Sequence, residues 1–283
     1  MKAAAASSKP RRAVLCSAMA ISLRRKLLYT GSCCQGSLMN RRGTLFVLCV
    51  LTVLTALVFT VFPGLDLWAS SLFVDDQGQF ALRSNRDLVG LREVGMLLPR
   101  FVLGVFFAGL LVPLVFPSVR PFTDARKIVA VILTFLLGPG LVTNVLLKEY
   151  WDRPRPVQVT EFGGPWQFKR WYDPTGECLR NCSFVSGEGA AATAVIAAAA
   201  AMPSPIKAPA VIGASIFAIG VSGLRLAFGG HFLSDLIFAA LFTLIISWGC
   251  FRIMLDERYP WGSPGAIERA LRRLARRGGK PPS

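Results

Sequence analysis

Long uncharged runs recur along the chain, and most ionisable residues fall in the gaps between them. A bilayer core needs about 20 consecutive apolar residues per helix. Residues 44–62 are an uncharged run of 19, preceded by Arg41 and Arg42 and closed by Pro63 and Gly64. A second run, 94–116, is interrupted near its start by Pro99 and Arg100, and a third, 128–147, carries no charge. Residues 189–202 are short and mostly alanine; they reach spanning length when Ser186, Gly187 and Glu188 lie at the mouth of the helix. Runs 208–224 and 232–251 complete the set, the last with one acid, Asp235. The pattern predicts an all-α integral membrane bundle of six helices. The alanine run counts as a span because membrane-length runs flank it on both sides.

Charge changes this picture only at the ends. The net charge is +16, from 32 Lys and Arg against 16 Asp and Glu, yet 53% of the residues are hydrophobic and 17% charged. Residues 1–42 hold nine basic residues and no acid; residues 252–283 hold eight basic and three acidic ones. Residues 43–251 hold 15 basic and 13 acidic residues and are close to neutral. A nucleic-acid reader needs its positive charge on the folded body with aromatics interleaved, so that class is excluded. A disordered chain and a disulfide-rich secreted domain are excluded by the apolar content.

Three segments are therefore expected: a basic tail without stable structure (1–42), a membrane body (43–251) and a second basic tail (252–283). The apolar stretch 13–23 is too short to span and runs into Arg24, Arg25 and Lys26 without a cleavage site. Met39 offers an alternative translation start beside the first span's basic flank. Residues 267–277 read as a basic amphipathic helix suited to anionic lipid headgroups.

With six spans both tails share one side, and their charge places that side in the cytoplasm. The outer loops are then 63–93, 148–185 and 225–231. The second of these breaks the positive-inside pattern with Lys148, Arg153, Arg155, Lys169, Arg170 and Arg180. A loop that resists the bias has another use for its charge, and anion binding is the direct one. Of seven cysteines only Cys178 and Cys182 sit in an outer loop, where an oxidising compartment permits a disulfide. Unpaired thiols and a metal pair are the alternatives at this stage.

The ionisable residues near the spans gather at one surface. Lys148 closes span three, and Arg155 follows seven residues later. Ser186, Gly187 and Glu188 open span four; Arg225 closes span five. His231, the single histidine, opens span six, with Asp235 one turn deeper. Odd spans run outward and even spans inward, so these ends share the outer rim. Three cations suit a phosphate, and Ser186 with Gly187 at a helix start offers free backbone N–H groups. A neutral imidazole is a nucleophile toward phosphorus, and Asp235 is placed to orient it. A desolvated Glu188 carboxyl is a candidate proton donor, which predicts activity falling as pH rises. The bland readings are a capping histidine and lysine or arginine anchors at span ends. An intramembrane carboxylate such as Asp235 resists such a reading. Arg100 is read as a snorkelling anchor in preference to a further anion ligand. Gly229 and Gly230 are read as permitting the turn into span six.

The motifs resemble those of the type 2 phosphatidic acid phosphatase superfamily, which includes non-specific acid phosphatases and vanadium haloperoxidases. Six residues separate Lys148 from Arg155-Pro156; Val185-Ser186-Gly187-Glu188 follows; five residues separate Leu224-Arg225 from His231, and three more separate His231 from Asp235. The superfamily pattern is K-x6-R-P, P-S-G-H and S-R-x5-H-x3-D. Val185, Leu224 and Glu188 depart from it, the last replacing the histidine that serves as general acid. The resemblance covers about residues 44–251. It implies that Lys148, Arg155, Arg225, Ser186 and Gly187 cradle phosphate, that His231 is the nucleophile, and that Asp235 orients it. No metal and no cofactor are implied. The stretch 178–190 with the six-span body resembles the bacterial lipid A phosphatase branch, which removes the 1- or 4′-phosphate on the periplasmic side of the inner membrane. The expected partners are a phosphorylated lipid and the bilayer, not nucleic acid. Hydrolysis of undecaprenyl diphosphate or a glycerolipid phosphate is the competing enzymatic reading. A non-catalytic phospholipid-binding or transport protein is the competing class, although no inverted repeat supports a transporter.

Overall fold

The computed structural model describes residues 41–116, 118–119 and 121–278, and residues 45–283 form one compact unit. Expectations for residues 1–40, including the start at Met39, lie outside the described residues. The regular structure is helical: α1 (Arg41–Val61), α2 (Gly64–Ser71), α3 (Arg86–Val115), α4 (Ala125–Tyr150), α5 (Gly187–Ala200), α6 (Ser204–Ala227), α7 (Leu233–Met254) and α8 (Ala266–Gly278).

Five of these, α1, α3, α4, α6 and α7, are long and apolar enough to cross a bilayer. Helix α5 is not. Its 14 residues extend about 21 Å at 1.5 Å each, against roughly 30 Å of hydrocarbon. It avoids the mismatch by being enclosed in protein: it packs against α4, α6 and α7, and most of its alanines are buried. Small side chains let the neighbouring backbones approach, which is how helices associate where lipid offers no hydrophobic drive. The outward faces of α1, α3 and α6 carry the large apolar residues instead, such as Phe46, Phe101 and Ile219.

Helix α3 begins eight residues before the apolar run does. Asn85 caps it, its Oδ1 accepting from the backbone N–H groups of Asp87 and Leu88 at 3.0 and 3.1 Å. This early start brings Arg92 into the helix. Helix α4 widens into π-helical turns over Leu136–Leu147. Pro139, which has no N–H to donate, lies between Gly138 and Gly140 in this stretch. Asn144 Nδ2 donates to the Pro139 carbonyl at 2.6 Å. Such turns often accompany functional sites, and this one ends at Lys148.

The chain beyond α7 folds back on the opposite end of the bundle. Arg126 donates to the Gly262 carbonyl at 2.5 Å, and Glu268 of α8 accepts from the Ala125 backbone at 3.1 Å. Helix α8 forms where the amphipathic pattern predicts one.

Candidate active site

The end of α4, the start of α5, the end of α6 and the start of α7 meet as the topology requires. Arg225 Nε lies 3.5 Å from Glu188 Oε1, which joins α6 to α5. An added Cβ on Gly187 would lie 2.5 Å from Asn144 Oδ1 and 3.1 Å from Lys148 Nζ, so a larger residue there would displace the ends of both side chains. Ser186 is fully buried and caps α5, its Oγ accepting from the Gly189 N–H at 3.1 Å. That hydroxyl is committed to the helix, while Gly187 presents its backbone beside Lys148.

Cys178 and Cys182 form a disulfide. The small loop it closes displays Asn181, whose Oδ1 accepts from Lys148 Nζ at 3.2 Å and whose carbonyl accepts from Arg155 Nη2 at 2.7 Å. One residue therefore positions two of the three expected phosphate cations. The third, Arg225, keeps its guanidinium beside Gly230, where a Cβ would fall 2.3 Å from Nη2. Gly229, at φ +59°, makes the turn. Gly230 has a different task from the one expected: it leaves room for Arg225.

His231 is 1% exposed, and its Nδ1 lies 2.6 Å from the Ser183 carbonyl oxygen. A carbonyl only accepts, so the proton is on Nδ1 and the lone pair is on Nε2. Asp235 is not the direct partner expected from the spacing, since its nearer oxygen is 3.9 Å from Nδ1. It acts through Ser183: the Ser183 hydroxyl donates to Asp235 Oδ2 at 2.5 Å while the Ser183 carbonyl holds the imidazole. Asp235 Oδ2 also accepts from the Phe232 backbone at 2.9 Å, which fixes the chain next to His231. Burial, reinforced by the positive fields of Arg225, Lys148 and Arg155, holds the His231 pKa well below the ordinary 6.5. The imidazole is neutral at pH 7.

The carboxylate of Asp235 is balanced by Arg153, which is fully buried. Arg153 also binds Asp66 of α2 at 2.8 Å, and its guanidinium stacks over the Phe232 ring at 4.4 Å. Asp66 in turn accepts from the Ser234 backbone at 2.8 Å and its hydroxyl at 2.6 Å. Two carboxylates and one guanidinium, all out of water, thus tie α2 and the 148–185 segment to the start of α7. Sequence reasoning missed Asp66, and it counted Arg153 among the outer-loop cations read as anion-binding, whereas Arg153 is taken up by two buried carboxylates. The argument that singled out Asp235, an acid among apolar neighbours, applies equally to Asp66, but Asp66 lay in a segment assigned to a loop.

Glu188 does reach the site, but not as a protonated acid. Arg92 grips it with two bonds, Nε at 2.9 Å and Nη2 at 2.5 Å. A carboxylate so held stays ionised, which corrects the expectation that it donates a proton. Arg92 was missed because the apolar run starts after it. Arg100, two turns further along α3, is exposed and does not line the cavity described below.

A cavity of about 440 Å³ opens over this assembly, lined by arginines 83, 92, 155, 180 and 225, with Gly230 next to His231. Among the described residues no acidic side chain lines it. The cavity offers an anion several guanidinium groups beside Gly230, the chain neighbour of the buried neutral imidazole.

Residues 127–259, which include Lys148, Arg155, Arg225, His231 and Asp235, match the family model of the PAP2 superfamily. A lipid A 4′-phosphatase of Rhizobium etli is 34% identical over 203 residues, covering 67% of this chain and 79% of the relative. One of Rhizobium leguminosarum is also 34% identical, covering 67% and 87%. The chain belongs to the PAP2 superfamily. A third lipid A 4′-phosphatase, of Francisella tularensis subsp. novicida, is 30% identical over 210 residues, 71% of this chain and 90% of the relative. No solved structure matches. As a PAP2 enzyme the protein is a phosphoric monoester hydrolase carried on a membrane helical bundle. The superfamily match begins at residue 127, so Asp66 and Arg92 come from a part of the chain that the family model does not include.

Proposed function

We propose that the protein removes the 4′-phosphate of lipid A on the periplasmic side of a bacterial inner membrane, with both termini in the cytoplasm. Three relatives with that activity support the substrate. The excess of basic residues in the tails supports the orientation. The observation that carries the chemistry is the commitment of His231 Nδ1 to the Ser183 carbonyl, which leaves Nε2 as the nucleophile beside three cations.

In this reading Lys148, Arg155 and Arg225 neutralise the phosphate, with the Gly187 backbone completing the cradle. His231 Nε2 forms a bond to phosphorus as the bond to the sugar oxygen breaks. The leaving alkoxide takes a proton from water in the open cavity, because Glu188 is held as a carboxylate by Arg92. A second water then attacks the phosphohistidine, releasing inorganic phosphate and restoring the imidazole. Asp235 and Ser183 hold the tautomer throughout.

The test is phosphate release by the purified protein from lipid A, undecaprenyl diphosphate and phosphatidic acid, with acid-stable and acid-labile phosphoenzyme assayed alongside. Release from lipid A and an acid-labile phosphoenzyme that His231→Ala lacks are expected. Release from another lipid alone would overturn the substrate; none from a folded protein would favour a lipid-binding module.

A further inference from the structure

We infer that Arg83 and Arg180 form a second anion subsite, which receives another phosphate on the headgroup of the same lipid while the first is cleaved. This rests on the glycolipid reading above and extends it to how the substrate is chosen.

Both side chains line the 440 Å³ cavity together with Arg155 and Arg225, yet neither is needed to hold the phosphate beside His231. They come from two separate segments with braced backbones. Arg83 lies on a short turn after Phe80, its N–H bonded to the Phe80 carbonyl at 3.0 Å. Phe80 is buried with Val159, Phe162 and Phe232, directly beneath the turn at Gly229. Arg180 lies in the loop closed by the disulfide, one residue before Asn181. Its side chain is 85% exposed, and a single loose pairing of Nε with Glu149 at 3.6 Å leaves the rest of the guanidinium for a ligand. The Arg83 guanidinium has neither a hydrogen bond nor an ion pair among the described residues.

Charge argues for more than one anion. Five arginines and, among the described residues, no acid line the cavity, and of these arginines Arg92 is neutralised by Glu188. A phosphate dianion bound by Lys148, Arg155 and Arg225 leaves Arg83 without a counter-charge and Arg180 with only its loose contact to Glu149. Like charges gathered in one cleft repel each other, and the positive field of Arg83 reaches Arg155, adding to the burial that lowers its pKa. A second phosphate relieves that repulsion, and the guanidinium fork fits its paired oxygens. The cavity is also larger than a single phosphate requires, at the lower end of the range for small-molecule sites.

The experiment compares lipid A carrying both phosphates with lipid A carrying only the 4′-phosphate, using the wild type and Arg83→Gln/Arg180→Gln. Two charge-assisted contacts predict that the wild type prefers the doubly phosphorylated lipid by about tenfold or more in kcat/KM. The double variant is expected to lose that preference through a higher KM, with kcat and all kinetics on the singly phosphorylated lipid retained. Equal wild-type kcat/KM on the two lipids overturns the subsite and leaves the proposed activity standing. Equal losses on both lipids in the double variant overturn it as well, since they mark a general contribution to the cleaved phosphate. Hydrolysis of neither lipid by the wild type overturns the glycolipid reading, and the subsite with it.

Discussion

His231 Nδ1 meets the carbonyl oxygen of Ser183 at 2.6 Å, so the residue that fixes the imidazole is a backbone group from the segment before α5. Asp235, four residues from His231, reaches it only through the Ser183 hydroxyl and the Phe232 amide. The arrangement makes Ser183 a positioning residue in its own right.

Ser183→Ala keeps the carbonyl but removes the hydroxyl bond to Asp235. It is expected to lower kcat about tenfold with little change in KM, in line with the roughly 1–3 kcal/mol cost of leaving a buried polar partner unsatisfied. Asp235→Asn removes one of the two carboxylates on Arg153 and leaves Asp66 to balance it, so it is expected to cost a further factor in rate and about 1–3 kcal/mol of stability, the cost of a buried hydrogen-bonding site left imperfectly paired. Steady-state kinetics and thermal inactivation in detergent read both. A fully active Ser183→Ala would sink the relay.

The pH profile follows from the neutral imidazole. Burial, with Arg225, Lys148 and Arg155, lowers the His231 pKa, so the nucleophilic form is present above the lowered value and is lost as pH falls through it. The acid limb of kcat/KM is expected below 6.5, the ordinary value, with no break at 6.5 itself. In the residual activity of Lys148→Met the limb should move up, because one positive neighbour is gone. A wild-type limb at or above 6.5 contradicts the assignment.

Glu188→Gln separates the two roles considered for that side chain. Without the carboxylate, Arg92 is released into the cavity and Arg225 loses a neighbour at 3.5 Å. The expected result is a changed KM, a loss of rate of about tenfold, and a pH profile of unaltered shape. Disappearance of a basic limb in the variant would restore Glu188 as the proton donor.

The adjacent glycines are expected to fail differently. In Gly230→Ala the new methyl group would meet the Arg225 guanidinium, a flexible side-chain end, so activity should fall more than stability. Gly229→Ala strains a backbone at φ +59° and drives a methyl group to 2.7 Å from the buried Phe80 ring. It should destabilise by at least about 1–2 kcal/mol, the cost of the left-handed conformation alone. Phosphate release and thermal inactivation, measured on both variants, distinguish the two.

Much of this protein was legible before any coordinates. Uncharged runs of about 20 residues require helices, because a helix satisfies every backbone group without water. The alternation of those helices across a bilayer then forces their ends together in two sets, which brings Lys148, Glu188, Arg225 and His231 to one surface. Helix α5 was legible as a helix but not as an enclosed one, since its alanines suit lipid and protein equally.

The partners of each charge were not legible. Asp66 and Arg153 are 87 residues apart, Arg153 and Asp235 are 82 apart, and Arg92 and Glu188 are 96 apart. Local spacing carries no information about contacts at such range. It placed Asp235 one turn from His231 and suggested a direct bond, whereas the fold inserts Ser183 between them. By itself the sequence determined the bundle, its polar rim and the chemistry that rim can support, because lipid leaves the backbone few alternatives and makes every buried charge conspicuous. Only the tertiary structure decided which cation neutralises which carboxylate, because ion pairs form between whatever groups the packing leaves within reach. That pairing leaves His231 neutral, Glu188 ionised, and Arg83 and Arg180 without a strong partner at the mouth of the cavity.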